Sequence, residues 1–147
     1  MCTEILTLVA IIGAGIAYLQ WRTAHQRVVL DLFDKRYSIW SKMREPIAEI
    51  VREGKVANDV EMRFLRARDG SEFLFGKEVN DYLDKLYKAI LDHRVAESAL
   101  QYAKSEGERL KAGENRLAKF KVIADFFNEF PKLVAPYMQM RQKRPLI

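Results

Sequence analysis

Apolar and polar positions divide this chain unevenly. From Ile5 to Trp21 no side chain is charged, and the run reads ILTLVAIIGAGIAYLQW. After Trp21 the pattern changes to apolar residues at steps of three and four among charges, the period of amphipathic helices. No stretch alternates as a half-buried strand does. The pattern predicts an all-α protein: an N-terminal transmembrane helix over residues 1–21 that continues into an antiparallel cytoplasmic helical bundle over residues 22–147.

A helix from Ile5 to Trp21 is roughly 25 Å long, slightly short of a ~30 Å hydrocarbon core. Ile5, Leu8, Ile12, Ile16 and Leu19 are the side chains expected to hold the span. Its strongly apolar residues contribute roughly −2.5 to −5 kcal/mol to insertion, before Thr7, Gln20 and the glycines are set against them. The interface anchors are Tyr18 and Trp21, whose rings favour the headgroup region, and Arg22, whose arm can snorkel. All 25 Lys and Arg follow the run, which puts the N-terminus outside and the remainder in the cytoplasm. A cleaved signal peptide would want positive charge before the run and a small-x-small site after it; Glu4 and Tyr18-Leu19-Gln20-Trp21 stand there instead. A buried helix of a water-soluble core is the other alternative. Ala10 with Ala14, and Gly13 with Ala17, place small residues at four-residue spacing, the pattern of a span that self-associates.

In the next helix Val29, Phe33, Trp40, Met43, Ile47 and Ile50 form a stripe that Arg36 interrupts, widened by Leu32, Ile39 and Val51. Pro46 is expected to bend this helix and Gly54 to stop it. A short helix is expected from Asp59 to Arg68 with Asn58 as cap, then a turn at Asp69-Gly70-Ser71. Phe73 to Gly76 reads as a hydrophobic plug. A long helix from Lys77 to Lys104 should bury Val79, Leu83, Leu86 and Ile90, helped by Tyr82 and Tyr87, with Ala96, Ala99 and Ala103 allowing close approach. After a break at Ser105 to Gly107, a helix to Phe130 should turn Leu117, Phe120, Ile123, Ala124 and Phe127 inward. Pro131 suits the first turn of a final short helix bearing Leu133, Val134, Tyr137 and Met138. There is no low-complexity linker and no clear internal repeat.

Composition narrows the chemistry. The net charge of +5 fits attraction to an anionic leaflet better than nucleic-acid binding. Most rings lie on apolar helix faces, so they pack a core rather than stack bases. Cys2 is the single cysteine, which excludes a disulfide framework and a cysteine zinc site. No phosphate-cradling loop and no His-Glu-x-x-His occurs, and His25 and His93 are isolated. Asp31 and Lys35 are four apart and suit a local ion pair. No catalytic residue, cofactor or metal is expected; an enzyme site across helices from Asp31, Asp34, Arg36 and His93 is the weakest alternative. The basic tail Arg141 to Arg144 reads as a solvated end.

Three stretches, QWRTAHQRVVLDLFDKRYSIW, FLFGKEVNDYL and FPKLVAPYMQM, together resemble a group of small, uncharacterised bacterial single-span membrane proteins with a helical cytoplasmic domain. The resemblance covers most of the chain and implies a bacterial inner membrane. It carries over no activity and no site residue. The expected function is a membrane-anchored, non-enzymatic interaction or assembly module, whose partners are the lipid bilayer and a second copy of the chain or another membrane protein. A membrane-perturbing effector of the defence or toxin kind, and a ligand-sensing bundle, are the alternatives.

Overall fold

The computed structural model describes residues 2–139, with side chains from Thr7 onward. Every regular element among the described residues is helical: α1 (Cys2–Glu53), α2 (Asn58–Arg68), α3 (Ser71–Leu74), α4 (Lys77–Tyr102), α5 (Glu106–Ala124), α6 (Phe126–Val134) and a 3-10 turn, Ala135–Tyr137. Lys35–Gln139 forms one compact unit; α1 up to Asp34 belongs to another.

Among the described residues the apolar side chains of the uncharged run have no cover. Leu8, Val9, Ile11, Ile12, Ile16, Tyr18, Leu19 and Trp21 are each more than half exposed, and a Cβ added at Gly13 or Gly15 would meet open space. Among the described residues no helix is long and apolar enough to cross a membrane. The stretch with described side chains, Thr7 to Trp21, is roughly 22 Å long. Glycines, Tyr18 and Gln20 dilute its hydropathy, and Arg22 ends it. The side chain of Ile5 lies outside the described residues, as does the basic tail. Support for an all-helical chain therefore does not extend to a spanning helix.

The Lys35–Gln139 unit has a continuous core. Met43, Ile47 and Ile50 from α1 are fully buried with Ile39 beside them; α2 adds Val60, Phe64 and Ala67, α4 adds Val79, Leu83, Leu86, Ala89 and Ile90, and the C-terminal elements add Ile123, Phe126, Phe130 and Val134. Each large side chain so buried contributes about 1.5–3 kcal/mol. The expected steps of three and four along α4, and along α1 from Ile39 to Ile50, are those of the core, while Val29, Leu32 and Phe33 lie outside it. Pro46 is buried inside α1, which stays helical across it. Gly54 ends the helix as expected: its φ is +68°, and its N–H donates to the Ile50 carbonyl at 2.8 Å. The left-handed conformation there suits a residue without a Cβ.

Several details differ from the pattern. Asn58 is the first residue of α2, not its cap; Ala57 holds the cap position without a side-chain bond, and the Asn58 amide oxygen accepts from Arg94 at 3.2 Å instead. Of the expected plug, only Phe75 is buried, while Phe73 is 83% exposed. The one-turn helix α3 sends consecutive residues to different sides, so Phe73 and Phe75 cannot share a destination. Ser105 caps α5 by accepting from the Glu108 N–H at 3.2 Å, and Glu108 accepts from the Ser105 N–H, a capping box. That reciprocal pair fixes where α5 begins.

The largest difference lies further on. The helix expected to run to Phe130 breaks at Asp125, where the Asp125 carbonyl accepts from both Asn128 and Glu129 N–H groups at 3.0 and 2.9 Å. The break redirects the chain so that Phe126 and Phe130 stack at 4.9 Å in the core, and Pro131 falls inside α6 rather than opening a helix. Leu117, expected inward, is 69% exposed. α4 and α5 form an antiparallel hairpin, with Asp92 paired to Lys119 and Leu100 against Gly113. For most of its length α5 has α4 as its only cover, so just a narrow strip of it is hidden.

Replacing Phe130 with alanine should lower unfolding stability by about 3–5 kcal/mol, whereas Phe73→Ala should change it by no more than about 0.5 kcal/mol. Urea denaturation of the full chain followed by circular dichroism distinguishes the two sites; a large loss at Phe73 would restore the plug reading.

Candidate functional site

The best-defined polar site grows from the one residue that interrupts the α1 stripe. Arg36 is half-buried, one turn before Ile39. Its Nε donates to the Leu74 carbonyl at 2.9 Å and its Nη1 to the Tyr137 carbonyl at 2.8 Å. Its guanidinium carbon also lies 5.5 Å from the centre of the Tyr137 ring. The two carbonyls belong to the last turn of α3 and to the 3-10 turn, where helical backbone has no partner of its own. A charged donor is among the stronger ways to satisfy them.

Tyr137 continues the network. Its hydroxyl donates to Glu78, and its ring meets Phe75 edge-on at 5.7 Å. That hydrogen bond, with one from its own backbone, holds the Glu78 carboxyl below the usual carboxylate range. The same bond pushes the Tyr137 phenol up, aided by burial. Gly76 lies directly beneath: a Cβ there would overlap the Tyr137 hydroxyl and the Glu78 carboxylate. Asn80 completes the site by donating to the Phe75 and Gly76 carbonyls at 3.2 and 3.0 Å and accepting from Ser71 Oγ at 3.0 Å. The donors Arg36, Asn80, Ser71 and Tyr137 thus each have an acceptor inside the junction. The arrangement fastens segments together; it presents no activated nucleophile.

A second cluster joins α2 to α4. Glu61 is buried and accepts from Arg94 and, at 3.2 Å, from the Tyr87 hydroxyl. Burial, then this bond to a carboxylate, pushes the Tyr87 phenol up. Arg63 reaches Glu49 and Glu45 on α1 and Asp59 on α2, and Arg68 meets Asp84 at 2.5 Å. The hydrogen bond to Glu49 is the main reason the Arg63 guanidinium is raised. These pairs fix helix register, and exposed ones of this kind add little stability.

Among the described residues two buried side-chain atoms have no hydrogen-bond partner. His93 is 1% exposed and its Nδ1 makes no hydrogen bond; the ring lies 6.0 Å from that of Phe120. Burial holds its pKa below 6.5, partly offset by Glu97 and reinforced by Arg116. The Tyr82 hydroxyl is likewise buried and unpartnered, and burial with Glu129 and Asp125 nearby pushes it up to about 12.

Of the residues in the alternative enzyme reading, Arg36 and His93 are not brought together. Arg36 is engaged by Leu74 and Tyr137, and His93 packs on Phe120, so their contacts share no residue. Among the described residues no group of three or more His, Cys, Asp or Glu could hold a metal ion. Of the expected interface anchors, Tyr18 and Trp21 approach at 6.1 Å and Trp21 stacks on His25 at 5.9 Å. In the bundle Tyr37 and Trp40 approach at 5.5 Å, and Arg44 lies 5.5 Å over Trp40. The two ladders share one spacing, YLQWRTAH and YSIWSKMR: tyrosine, tryptophan three on, a basic side chain four further. This short internal repeat was legible, but it is masked by the surrounding helical period. Comparison with protein-family models, curated proteins and solved structures finds no match.

Two outcomes follow from this geometry. Gly76→Ala should destabilise the wild-type chain by about 2 kcal/mol and cost measurably less in a Tyr137→Phe background, because the hydroxyl it displaces is then absent; additive costs would disprove the contact. For His93 the folded state disfavours the proton, so the unfolded chain binds it more readily below pH 6.5. The stability contributed is complete above that pH and is lost as pH falls below it. Urea midpoints at pH 7.5 and 5.5 should therefore differ by more in the wild type than in His93→Leu.

Proposed function

We propose that this chain is a membrane-anchored, non-enzymatic interaction or assembly module of the bacterial inner membrane, with its N-terminal helix seated in the bilayer and its helical bundle on the cytoplasmic side. The observation that carries the reading is the uncovered apolar surface of α1. Leu8, Val9, Ile11, Ile12, Ile16 and Leu19 lie together on one side of the helix, and all are exposed. A water-soluble monomer rarely leaves so large a contiguous apolar surface bare, and lipid would cover it.

The flanks agree with such a seat. The Tyr18–Trp21–His25 ladder and Arg22 follow the run directly, combining amphipathic rings with a cationic arm as interfacial anchors do. Arg22 reaching to headgroups makes up for the shortness of the uncharged run from Ile5 to Trp21. The Ala10, Gly13, Ala14 and Ala17 face, bare around Gly13, suits close approach by a second span. The resemblance carried by the three quoted stretches agrees with a bacterial inner membrane. A fastening rather than a reactive site at Arg36, Glu78 and Tyr137 favours an interaction role over catalysis.

Full-length protein expressed in bacteria should sediment with membranes and resist alkaline extraction. Ile12→Lys with Ile16→Lys adds about 2.5–3.5 kcal/mol of insertion cost per residue, enough to exceed the favourable total, and should release a helical, folded protein into the supernatant. Wild-type protein found in the supernatant, or stripped by alkali, overturns the reading.

A further inference from the structure

His93 sits at the contact between α4 and α5, and the junction around Arg36 makes no use of it. Its side chain is buried, its ring lies 6.0 Å from that of Phe120 on α5, and its Nδ1 has no hydrogen-bond partner among the described residues. A neutral imidazole can leave Nδ1 as a bare lone pair, but an imidazolium makes both nitrogens donors. A charged donor without an acceptor in a buried place is among the costlier arrangements a fold can hold. Of the charges around the ring, Glu97 on α4 favours the proton and Arg116 on α5 opposes it; burial outweighs both. Phe120 offers no acceptor, and the neighbouring Asp92 is taken up by Lys119 at 2.9 Å.

The helix that closes over His93 is weakly held. The buried residue of α5 is Ile123, close to its C-terminal end, whereas α4 places Val79, Leu83, Leu86, Ala89 and Ile90 in the core. α5 also lies between two breaks in helical backbone: the link 103–105 before it, extended at Ala103 and Ser105, and the Asp125 step after it. Its ion pair to α4, Asp92 with Lys119, is about one-third exposed on each side and adds little to the hold.

We propose that His93 is an acid latch: when the ring takes up a proton, α5 lifts from α4 and lets water reach Nδ1, while the core built from α1, α2 and the first half of α4 stays folded. Opening uncovers Ala96 and Phe120. In the open form the imidazole is solvated and titrates near its ordinary 6.5; in the closed form burial holds it lower. The open form therefore binds the proton more readily. Closure is at full strength above pH 6.5 and weakens as pH falls below it, until the closed form itself protonates. Over that window the opening constant rises by up to about tenfold per pH unit. The change is confined to one helix and is reversed by raising the pH, unlike acid unfolding of the whole chain. It does not depend on whether the N-terminal helix sits in lipid.

Hydrogen exchange on the full chain in detergent, at pH 7.5 and 5.5 with each rate divided by the intrinsic rate at that pH, reads opening helix by helix. Amides over 110–120 of α5 should lose protection several-fold, up to about tenfold, and those of α2 should not. Protection should return in full when a sample at pH 5.5 is brought back to 7.5. His93→Leu should abolish the response of α5. Arg116→Gln removes a charge that opposes the proton, so the closed form protonates sooner and the response should shrink. Glu97→Gln removes a charge that favours it, and the response should grow. Both residues lie outside the core, so they test the latch independently of any repacking at position 93. Equal loss of protection in α2 and α5, a response that survives His93→Leu, loss that does not reverse, or a response that moves the same way in Glu97→Gln and Arg116→Gln overturns the proposal.

Discussion

A guanidinium set among apolar side chains holds the bundle together at its least regular place. Short helices end in carbonyls without partners, and both α3 and the 3-10 turn after α6 present such a carbonyl toward α1. Water cannot serve them well beside a packed core, and an aliphatic residue at position 36 would leave them orphaned. Arg36 supplies two donors from one planar group, which a lysine would not reproduce. The Leu74 end of α3, the start of α4 and the C-terminal turn are thereby gathered at one point. Phe126, Phe130 and Val134 lie in the core because the chain beyond them is tied down through Tyr137. Residues distant in the sequence, Arg36, Leu74 with Gly76, Glu78 and Asn80, and Tyr137, thus meet at this junction.

The α4–α5 hairpin obeys a different economy. Its two helices approach closely where Ala96 is buried and Gly113 lies 3.7 Å from Leu100 in Cβ terms, and the capping box at Ser105 sets the register of the return strand of helix. Having α4 as its main cover, α5 keeps Leu110 and Leu117 in solvent while its inner strip encloses His93. A buried neutral imidazole is tolerated as long as the pH keeps it neutral, which couples the hairpin's integrity to acidity.

The two parts of the molecule handle apolar surface in opposite ways. Within Lys35–Gln139 the large aliphatic residues of α1, α2 and α4 on the stripe are hidden in one core. Before Asp34 comparable residues stand bare on a single helix. No packing within the described residues relieves that exposure.

Periodicity alone determined the helical class, the buried faces of α4 and of the second half of α1, the stop at Gly54, and the uncharged character of the N-terminal run, because each is a local consequence of residue type and spacing. The role of Arg36 was visible only as an interruption: a stripe shows that a charge is out of place, not which carbonyls, 38 and 101 residues away, require it. Glu61 looked like any surface acid until Arg94 and Tyr87 from another helix enclosed it. Leu117 and Phe73 carry the right hydrophobicity for a core, and only the absence of a covering element sends them outward. The break at Asp125 likewise depended on where Phe126 and Phe130 find room. Local pattern specifies which faces are apolar; the number of neighbours available to cover them is a property of the assembled fold, and here that number separated the core from the apolar surfaces left exposed.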